Sequence, residues 1–304
     1  MAAGDPTRPR RPASGSWSGR LRDYALLIRL NRPIGILLLL WPTLWALWIA
    51  TGGHPDTRVF LVFLAGVCLM RSAGCAINDY ADRDFDPHVS RTRERPVAAG
   101  RVAPWEAVLV AAVLSFIAFM LVVFFLDWLT IQLAVIGGFL AAGYPFLKRW
   151  TSLPQFFLGA AFGWAVPMAF AAETGAVGAT AWLLFAAVVL WAVAYDTMYA
   201  MVDREDDLRI GVKSTAILFG RADRLIVGLC QAAVLALLLV VGQRTGLGGW
   251  YHAGLAAAAA LAAWQQRLIR DRRPEDCFRA FLNNNLFGGA IFLGIALHYG
   301  LAGA

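Results

Sequence analysis

Charged residues are scarce in this sequence. Only 15% of the 304 residues are charged and 59% are hydrophobic, whereas an average soluble domain has about 25% charged residues. This shortage of charge excludes a disordered chain, a nucleic-acid-binding domain with a charged surface and an ordinary cytosolic enzyme. The composition instead predicts a polytopic membrane protein, which is surrounded by the lipid bilayer and binds no nucleic acid.

Paired cysteines are lacking as well. None of the four cysteines belongs to a CxxC pair, although Cys68 and Cys75 are seven residues apart on one predicted helix. We therefore expect all four, which include Cys230 and Cys277, to be small apolar packing residues.

Long apolar runs, in contrast, fill most of the chain. Each has roughly the 20 residues that a helix needs to cross a bilayer, and all are too long for barrel strands. The expected fold is therefore all-α, a bundle of nine transmembrane helices within residues 24–304. The nine runs lie near residues 26–50, 59–78, 105–126, 128–147, 154–173, 181–201, 224–243, 248–266 and 283–301.

The first 23 residues have a different composition, rich in arginine, proline, glycine and serine. We expect residues 1–23 to form a disordered basic arm in the cytosol. An arginine-rich organelle transit segment is the alternative, but the prolines and Asp5 would disturb the amphipathic helix that such a segment forms.

Positive charge alternates between the connections of the predicted helices. Of the 27 lysines and arginines, 24 lie near the N-terminus or in every second connection, and only Arg58 and Arg244 lie in the others. The positive-inside rule places the basic loops and the N-terminus in the cytoplasm. Because the number of helices is odd, the C-terminus is expected in the periplasm of a bacterium, whose inner membrane is the expected location. A mitochondrial inner membrane stays open.

The second apolar run leads into a group of acidic residues. Asn78, Asp82 and Asp86 are four residues apart, so on a continued helix they share one face. The sixth run repeats this pattern at its own cytoplasmic end.

On the sixth run, Asp196, Tyr199, Asp203 and Asp207 form a narrow stripe along one face of the predicted helix. Asp196 lies within an apolar stretch, where an unpaired carboxylate costs about 2.5–3.5 kcal/mol at the helix centre. We therefore expect Asp196 to face the bundle interior. The remaining acids of the two segments are expected in solvent, where they balance loop arginines: Asp79, Asp84, Glu205 and Asp206.

Two rows of carboxylates at one membrane boundary repel each other unless cations lie between them. Their oxygen ligands suit Mg²⁺ better than Zn²⁺, and Mg²⁺ prefers one or two carboxylates together with substrate phosphates. The pattern therefore predicts a phosphorylated substrate that is bound through Mg²⁺. Each row is followed by a basic loop that could bind phosphate oxygens: Arg91, Arg93, Arg95 and Arg101 after the first row, and Arg209 and Lys213 after the second.

Five stretches of this chain, in order on the nine predicted helices, resemble the UbiA superfamily of membrane aromatic prenyltransferases. The acidic motifs are only modestly specific one by one, but the five together span about residues 24–300. The stretches are Arg32-Pro33-Ile34-Gly35 with residues 38–48, then residues 78–86, 153–171, 195–220 and 281–285.

The resemblance implies an activity: transfer of a polyprenyl group from its diphosphate to ring position 3 of 4-hydroxybenzoate, a step of ubiquinone biosynthesis. It also implies roles for the acidic rows. Mg²⁺ would be held by Asp82, Asp86, Asp203 and Asp207, with help from Asn78. The catalytic set would further include Asp196, which would line the cavity together with Tyr199.

The resemblance extends to the two substrates. Arg83 and Lys213 would contact the diphosphate. The carboxylate of the acceptor would pair with Arg149, or alternatively with Arg29. Aromatic residues available for the wall of the prenyl pocket are Trp41, Trp45, Phe162, Trp164 and Tyr195. Neither the prenyl length nor the oligomeric state is encoded in a readable pattern.

Two alternatives remain at this point. A UbiA-type enzyme that uses another aromatic acceptor, as in menaquinone or haem synthesis, would carry the same acidic rows. A secondary transporter would also have buried acids and an internal duplication, but its sites lie near the bilayer midplane on broken helices. Here the acids cluster at the cytoplasmic end beside basic loops, which favours the enzyme.

Overall fold

A computed structural model describes residues 17–89, 91–147 and 150–302 of the protein, and within these ranges all regular structure is helical. The all-α prediction is therefore confirmed. The α-helices are α1 (Trp17–Leu27), α2 (Ile34–Ala50), α3 (Thr57–Ala81), α4 (Pro104–Phe125), α5 (Trp128–Leu147), α6 (Pro154–Gly163), α7 (Ala165–Thr174), α8 (Ala179–Val202), α9 (Arg204–Ile210), α10 (Thr215–Phe219), α11 (Asp223–Thr245), α12 (Gly249–Leu268) and α13 (Pro274–Ala302).

Seven segments of the described residues are long and apolar enough to cross a membrane. They are α3, α4, α5, the combined Pro154–Thr174, α8, the combined Thr215–Thr245 and α13, so the protein is a multi-pass membrane protein. The other two predicted spans correspond to α2, which has 17 residues, and α12, which has 20. The count of nine therefore stays a prediction.

Several predicted boundaries differ from the structure. The run at 26–50 was expected as one helix, but α1 ends at Leu27 and α2 begins at Ile34, and the run at 283–301 already begins at Pro274 as α13. The run at 154–173 was expected as one helix, but α6 ends at Gly163 and α7 begins at Ala165, on either side of Trp164. The arm at 1–23 was expected without structure, yet α1 already begins at Trp17. Residues 1–16 lie outside the described part of the chain.

Three consecutive asparagines of α13 connect this helix to three different neighbours. Successive residues of a helix point in directions about 100° apart, so adjacent side chains can reach different partners. Such side-chain hydrogen bonds link helices where no water competes. The side-chain oxygen of Asn283 accepts from Gln265 of α12 at 3.0 Å, that of Asn284 from Trp191 of α8 at 2.9 Å, and that of Asn285 from Trp41 of α2 at 2.8 Å.

Helix α6 packs closely on α8 and fixes the position of the segment that follows α8 and α9. A Cβ atom at Gly159 would lie 2.9 Å from the Val189 carbonyl oxygen, so only glycine allows this approach. One turn before Gly159, the Gln155 side chain accepts from the backbone N–H of Thr215 at 3.2 Å. The segment that follows α9 is thereby fixed against the bundle.

Candidate active site

The first acidic row was predicted on one continuous helix, and this prediction is wrong. Helix α3 ends at Ala81, Asp82 caps it, and Asp86 begins a short 3-10 helix. The chain turns tightly instead, with the Asp86 N–H donating to the Asp82 carbonyl at 2.8 Å. This turn still places Asn78, Asp82 and Asp86 in the lining of one cavity, and the Asn78 amide donates to the Asp82 carboxylate at 3.1 Å.

The second acidic row is also interrupted. Helix α8 ends at Val202, and Asp203 connects it to the short helix α9. The Asp207 N–H donates to the Asp203 carbonyl at 2.8 Å, which keeps the two side chains on one side of the junction. Asp196, Tyr199, Asp203 and Asp207 all line the same cavity as the first row.

The shared cavity has a volume of about 300 Å³. Both acidic rows contribute to its wall, and so do several basic side chains: Arg29, Arg32, Arg71, Arg91, Arg95 and Lys213. Oxygen ligands and cationic groups thus face one space, an arrangement that suits a phosphorylated substrate.

Arg95 holds the first row together. Its Nη1 atom lies 2.8 Å from Asp86 Oδ2, 3.7 Å from Asp82 Oδ2 and 3.6 Å from Asp79 Oδ1. Burial raises the pKa of Asp86 to about 6; Arg95 opposes this rise and the Asp82 carboxylate adds to it. Three carboxylates of the first acidic segment thus surround one guanidinium group.

Arg91 plays the same part for the second row. Its Nε donates to Asp203 Oδ1 at 3.0 Å, and its two other nitrogens contact Asp203 Oδ2 and the Tyr199 hydroxyl. Its guanidinium also lies 4.3 Å from the centre of the Tyr199 ring. The sequence placed Arg91 and Arg95 in a basic loop but gave neither a specific role, because positive-inside bias alone produces arginines there.

Asp79 contradicts one expectation. It was predicted in solvent, but its side chain is fully buried and forms an ion pair with Arg29 at 2.6 Å. Asp84 and Glu205 are exposed as expected, with 61% and 89% of their side-chain surface accessible, while Asp206 is only 22% exposed. The acids outside the two rows are therefore not equivalent.

Three other predicted residues have mixed outcomes. Lys213 lines the cavity. Arg83 is not among the described lining residues: its guanidinium lies 4.5 Å from the centre of the Tyr80 ring and 3.7 Å from Asp84. Arg149 lies outside the described residues. The roles predicted for all three remain predictions.

A second cavity, about 550 Å³ in volume and mainly apolar, adjoins the first. The lining shared by the two cavities consists of Arg71, Gly74, Tyr144 and Phe162. Of the predicted wall residues, Phe162 and Trp164 line the apolar cavity and Tyr195 the polar one. Trp41 and Trp45 instead pack against α13, where the Trp45 indole donates to the Gly288 carbonyl at 3.1 Å.

Arg71 lies at the junction of the two cavities and was not singled out by the sequence. It belongs to the membrane-spanning part of α3, and its guanidinium donates to the Cys75 thiol. Gly35 makes room for it, since a Cβ atom there would lie 2.1 Å from Arg71 Nε. A charge at this depth is costly, and charged residues inside membrane helices commonly mark substrate sites.

The fold and the two cavities define a membrane-embedded enzyme whose substrate has a charged head and an apolar tail. The family can be stated as well: the chain belongs to the UbiA prenyltransferase family, whose profile matches residues 39–290.

Two comparisons agree with this membership. A protein of Nitrosococcus oceani named 4-hydroxybenzoate octaprenyltransferase is 64% identical over 280 residues, which cover 92% of this chain and 98% of the relative. The solved structure of a UbiA homolog from Aeropyrum pernix K1, determined without ligand, aligns with a TM-score of 0.75 at 26% identity, over 84% of this chain and 95% of that one.

A more distant solved structure also shares the fold. A UbiA homolog from Archaeoglobus fulgidus, solved with DMAPP and Mg²⁺, shares the fold with a TM-score of 0.65 at 16% identity, over 90% of this chain and 99% of that one. Among the described residues here, no three acidic, histidine or cysteine side chains are arranged to hold an ion by themselves. Two oxygen-bearing rows facing one cavity nevertheless fit Mg²⁺, because this ion takes one or two carboxylates and completes its shell with phosphate and water.

Proposed function

We propose that this protein transfers a polyprenyl group from polyprenyl diphosphate to position 3 of 4-hydroxybenzoate and releases diphosphate, a step of ubiquinone biosynthesis. The observation that carries the proposal is the contact between the two cavities. A polar space with two carboxylate rows opens beside an apolar space, which matches a substrate with a diphosphate head and a hydrocarbon tail. The names of the closely similar relatives support the choice of acceptor.

The polar cavity would bind the diphosphate. Asp82 and Asp86, assisted by the Asn78 amide, would hold one Mg²⁺, and Asp203 and Asp207 would hold a second. The bound ions would neutralise the negative charge that develops on the leaving diphosphate. Arg91, Arg95 and Lys213 would donate to phosphate oxygens, since each lines the cavity.

The apolar cavity would bind the prenyl chain and exclude water. When the bond between the allylic carbon and the bridging oxygen breaks, its electron pair leaves with the diphosphate and the allylic carbon becomes electron-poor. Water near that carbon would give the prenyl alcohol instead of the product. Phe162 and Tyr144, which line both cavities, lie where such exclusion is required.

The acceptor would bind beside the junction of the cavities. Arg71 is the cationic residue that lines both, so among the described residues it is our candidate partner of the acceptor carboxylate. Arg149 stays a candidate from the resemblance. The new carbon–carbon bond forms at the ring, which then loses a proton, and Asp196 in the cavity wall is our candidate acceptor for that proton.

The orientation in the membrane follows from the arginines. We infer that the basic loops and the polar cavity face the cytoplasm of a bacterium, that the membrane is the inner one, and that the C-terminus is periplasmic. The support is the unequal distribution of positive charge between the connections. The water-soluble acceptor would then enter the cavity from the cytoplasm, and the released diphosphate would leave to the cytoplasm.

The test is a reaction with purified protein in detergent or liposomes. The protein receives 4-hydroxybenzoate and octaprenyl diphosphate, with Mg²⁺ in one sample and EDTA in another, and prenylated product is measured by mass spectrometry. We expect product only with Mg²⁺. If product forms only with a different aromatic acceptor, the protein is a prenyltransferase with another acceptor. If folded protein forms no product with any acceptor, the proposal is refuted.

A further inference from the structure

Asp79 is a buried carboxylate that the proposed mechanism does not use. It is not among the lining residues of the polar cavity, yet its partners Arg29 and Arg95 both are. We propose that Asp79 is a positioning residue, which aims these two guanidinium groups at the diphosphate of the prenyl substrate. This inference rests on the proposed function.

A single oxygen of Asp79 is close to both arginines. Asp79 Oδ1 lies 2.6 Å from Arg29 Nη2 and 3.6 Å from Arg95 Nη1. The Asp79 side chain is fully buried, and only 17% and 13% of the two arginine side chains is exposed. Asp79 thus contacts both guanidinium groups, and Arg95 also contacts Asp86 and Asp82 in the cavity wall.

The arrangement carries two unfavourable features at once. The second oxygen of Asp79, Oδ2, is buried and has no hydrogen-bond partner among the described residues, which is costly for a carboxylate. Arg29 has a φ of 59°, in the left-handed region that residues with a Cβ disfavour. Such local costs are concentrated at functional sites, where the surrounding structure maintains them.

Asp79 differs in this from its neighbour Asn78. The Asn78 side chain lines the cavity and donates to Asp82, whereas Asp79 is directed toward Arg29. The contact of Asp79 with Arg95 is important because Arg95 also binds Asp86, which is a proposed ligand of Mg²⁺. In the proposed function Asp86 would hold Mg²⁺ and would no longer be available to fix Arg95. Asp79 would then keep the Arg95 guanidinium beside the cavity, within reach of phosphate.

Arg29 is placed by the same contact. It follows α1 in the link to α2, and its ion pair with Asp79 connects this link to the cytoplasmic end of α3. The ion pair sets Arg29 beside the first acidic row. Arg29 therefore belongs with the diphosphate in this proposal, and not with the acceptor carboxylate.

The test is the isosteric variant Asp79→Asn, compared with Asp84→Asn as a matched control on an exposed carboxylate nearby. We expect Asp79→Asn to raise the KM for octaprenyl diphosphate about tenfold or more, as the loss of one charge-assisted contact would. The KM for 4-hydroxybenzoate should change less than about twofold, and Asp84→Asn should change neither. An unchanged diphosphate KM in folded Asp79→Asn overturns the proposal, as does an equal rise of both KM values.

A double-mutant cycle separates positioning from a general effect on the fold. The double variant Asp79→Asn/Arg29→Gln is compared with wild type. If Asp79 acts through Arg29, the fold-rise of the diphosphate KM in the double variant should be smaller than the product of the fold-rises in the two single variants. Full multiplicative effects would overturn the coupling. If Asp79→Asn does not fold, Arg29→Gln decides alone: it must weaken binding of geranyl thiolodiphosphate and leave 4-hydroxybenzoate binding unchanged, and any other result overturns the proposal.

Failure of this inference can be told apart from failure of the proposed function. Wild-type protein that makes no prenylated product refutes the function. Wild-type protein that makes product, together with an Asp79→Asn variant of unchanged diphosphate KM, refutes the inference alone.

Discussion

The Arg91 guanidinium forms an ion pair with the Asp203 carboxylate, with Nε 3.0 Å from Oδ1 and a second contact from Nη2 to Oδ2. Arg91 lies in the connection between α3 and α4, whereas Asp203 follows α8. This ion pair therefore joins the loop that follows the first acidic row to the second acidic row, and its two residues are 112 positions apart in the chain.

Substitution of Arg91 tests this connection. We expect Arg91→Gln to destabilise the protein in EDTA by about 1–3 kcal/mol, because Asp203 loses a charged partner in a mostly buried site. With Mg²⁺ and a prenyl thiolodiphosphate the loss should shrink, since Asp203 then has another cationic partner. Thermal unfolding under both conditions measures this, with Arg93→Gln, an exposed position of the same loop, as the control. An equal loss under both conditions would contradict the assignment of Asp203 to a metal.

The carboxylate rows themselves should be required for turnover. We expect Asp82→Asn and Asp203→Asn each to lower kcat about 100-fold or more, because charge on the leaving diphosphate is then poorly neutralised. Glu205→Gln, on an exposed neighbour of the second row, should leave kcat unchanged. Steady-state assays at saturating Mg²⁺ decide this, and near wild-type turnover of either row variant would disprove its role.

Arg71 should determine the affinity for the acceptor. We expect Arg71→Gln to raise the KM for 4-hydroxybenzoate roughly 10- to 100-fold, the effect of losing a charge-assisted pair with a carboxylate. The KM for the prenyl diphosphate should change little. The same assay on Arg149→Ala compares the two candidates directly. If only Arg149→Ala raises the acceptor KM, the acceptor carboxylate binds there and not at Arg71.

The asparagines of α13 should contribute to stability and not to chemistry. We expect Asn284→Ala to lower the free energy of unfolding by about 1–3 kcal/mol, because the buried Trp191 N–H loses its acceptor. Leu286→Ala, at a surface position of the same helix, should cost less. Thermal unfolding in detergent measures both. A smaller effect for Asn284→Ala than for Leu286→Ala would show that this hydrogen bond adds little.

Much of the architecture was available from the sequence. Long apolar runs, with positive charge concentrated in every second connection, predicted a helical membrane protein. In lipid no water can bind the backbone, and a helix satisfies the backbone hydrogen bonds within each run. The spacing of Asp82, Asp86, Asp203 and Asp207 predicted two rows that meet, and all four line one cavity. They share this lining even though both helices end within their rows, since the turns that follow keep the side chains on the same side. Their roles as metal ligands stay predictions.

What the sequence left undecided concerns the arginines. Loop arginines look alike in a sequence, because positive-inside bias supplies them whether or not they have a site to serve. Only the path of the chain between α3 and α4 brings Arg91 to Asp203 and Arg95 to Asp86. In the same way, burial of Asp79 depends on where the link between α1 and α2 places Arg29.

The difference between the two kinds of result has a physical origin. Hydropathy and helical spacing act over a few neighbouring residues, so the sequence by itself determined the helical membrane fold and the two groups of carboxylates. An ion pair joins the ends of long side chains from distant segments, and its partners depend on how helices pack and how loops cross them. The tertiary structure therefore decided which cations serve which carboxylates, and where Arg71 lies between the polar and the apolar cavity.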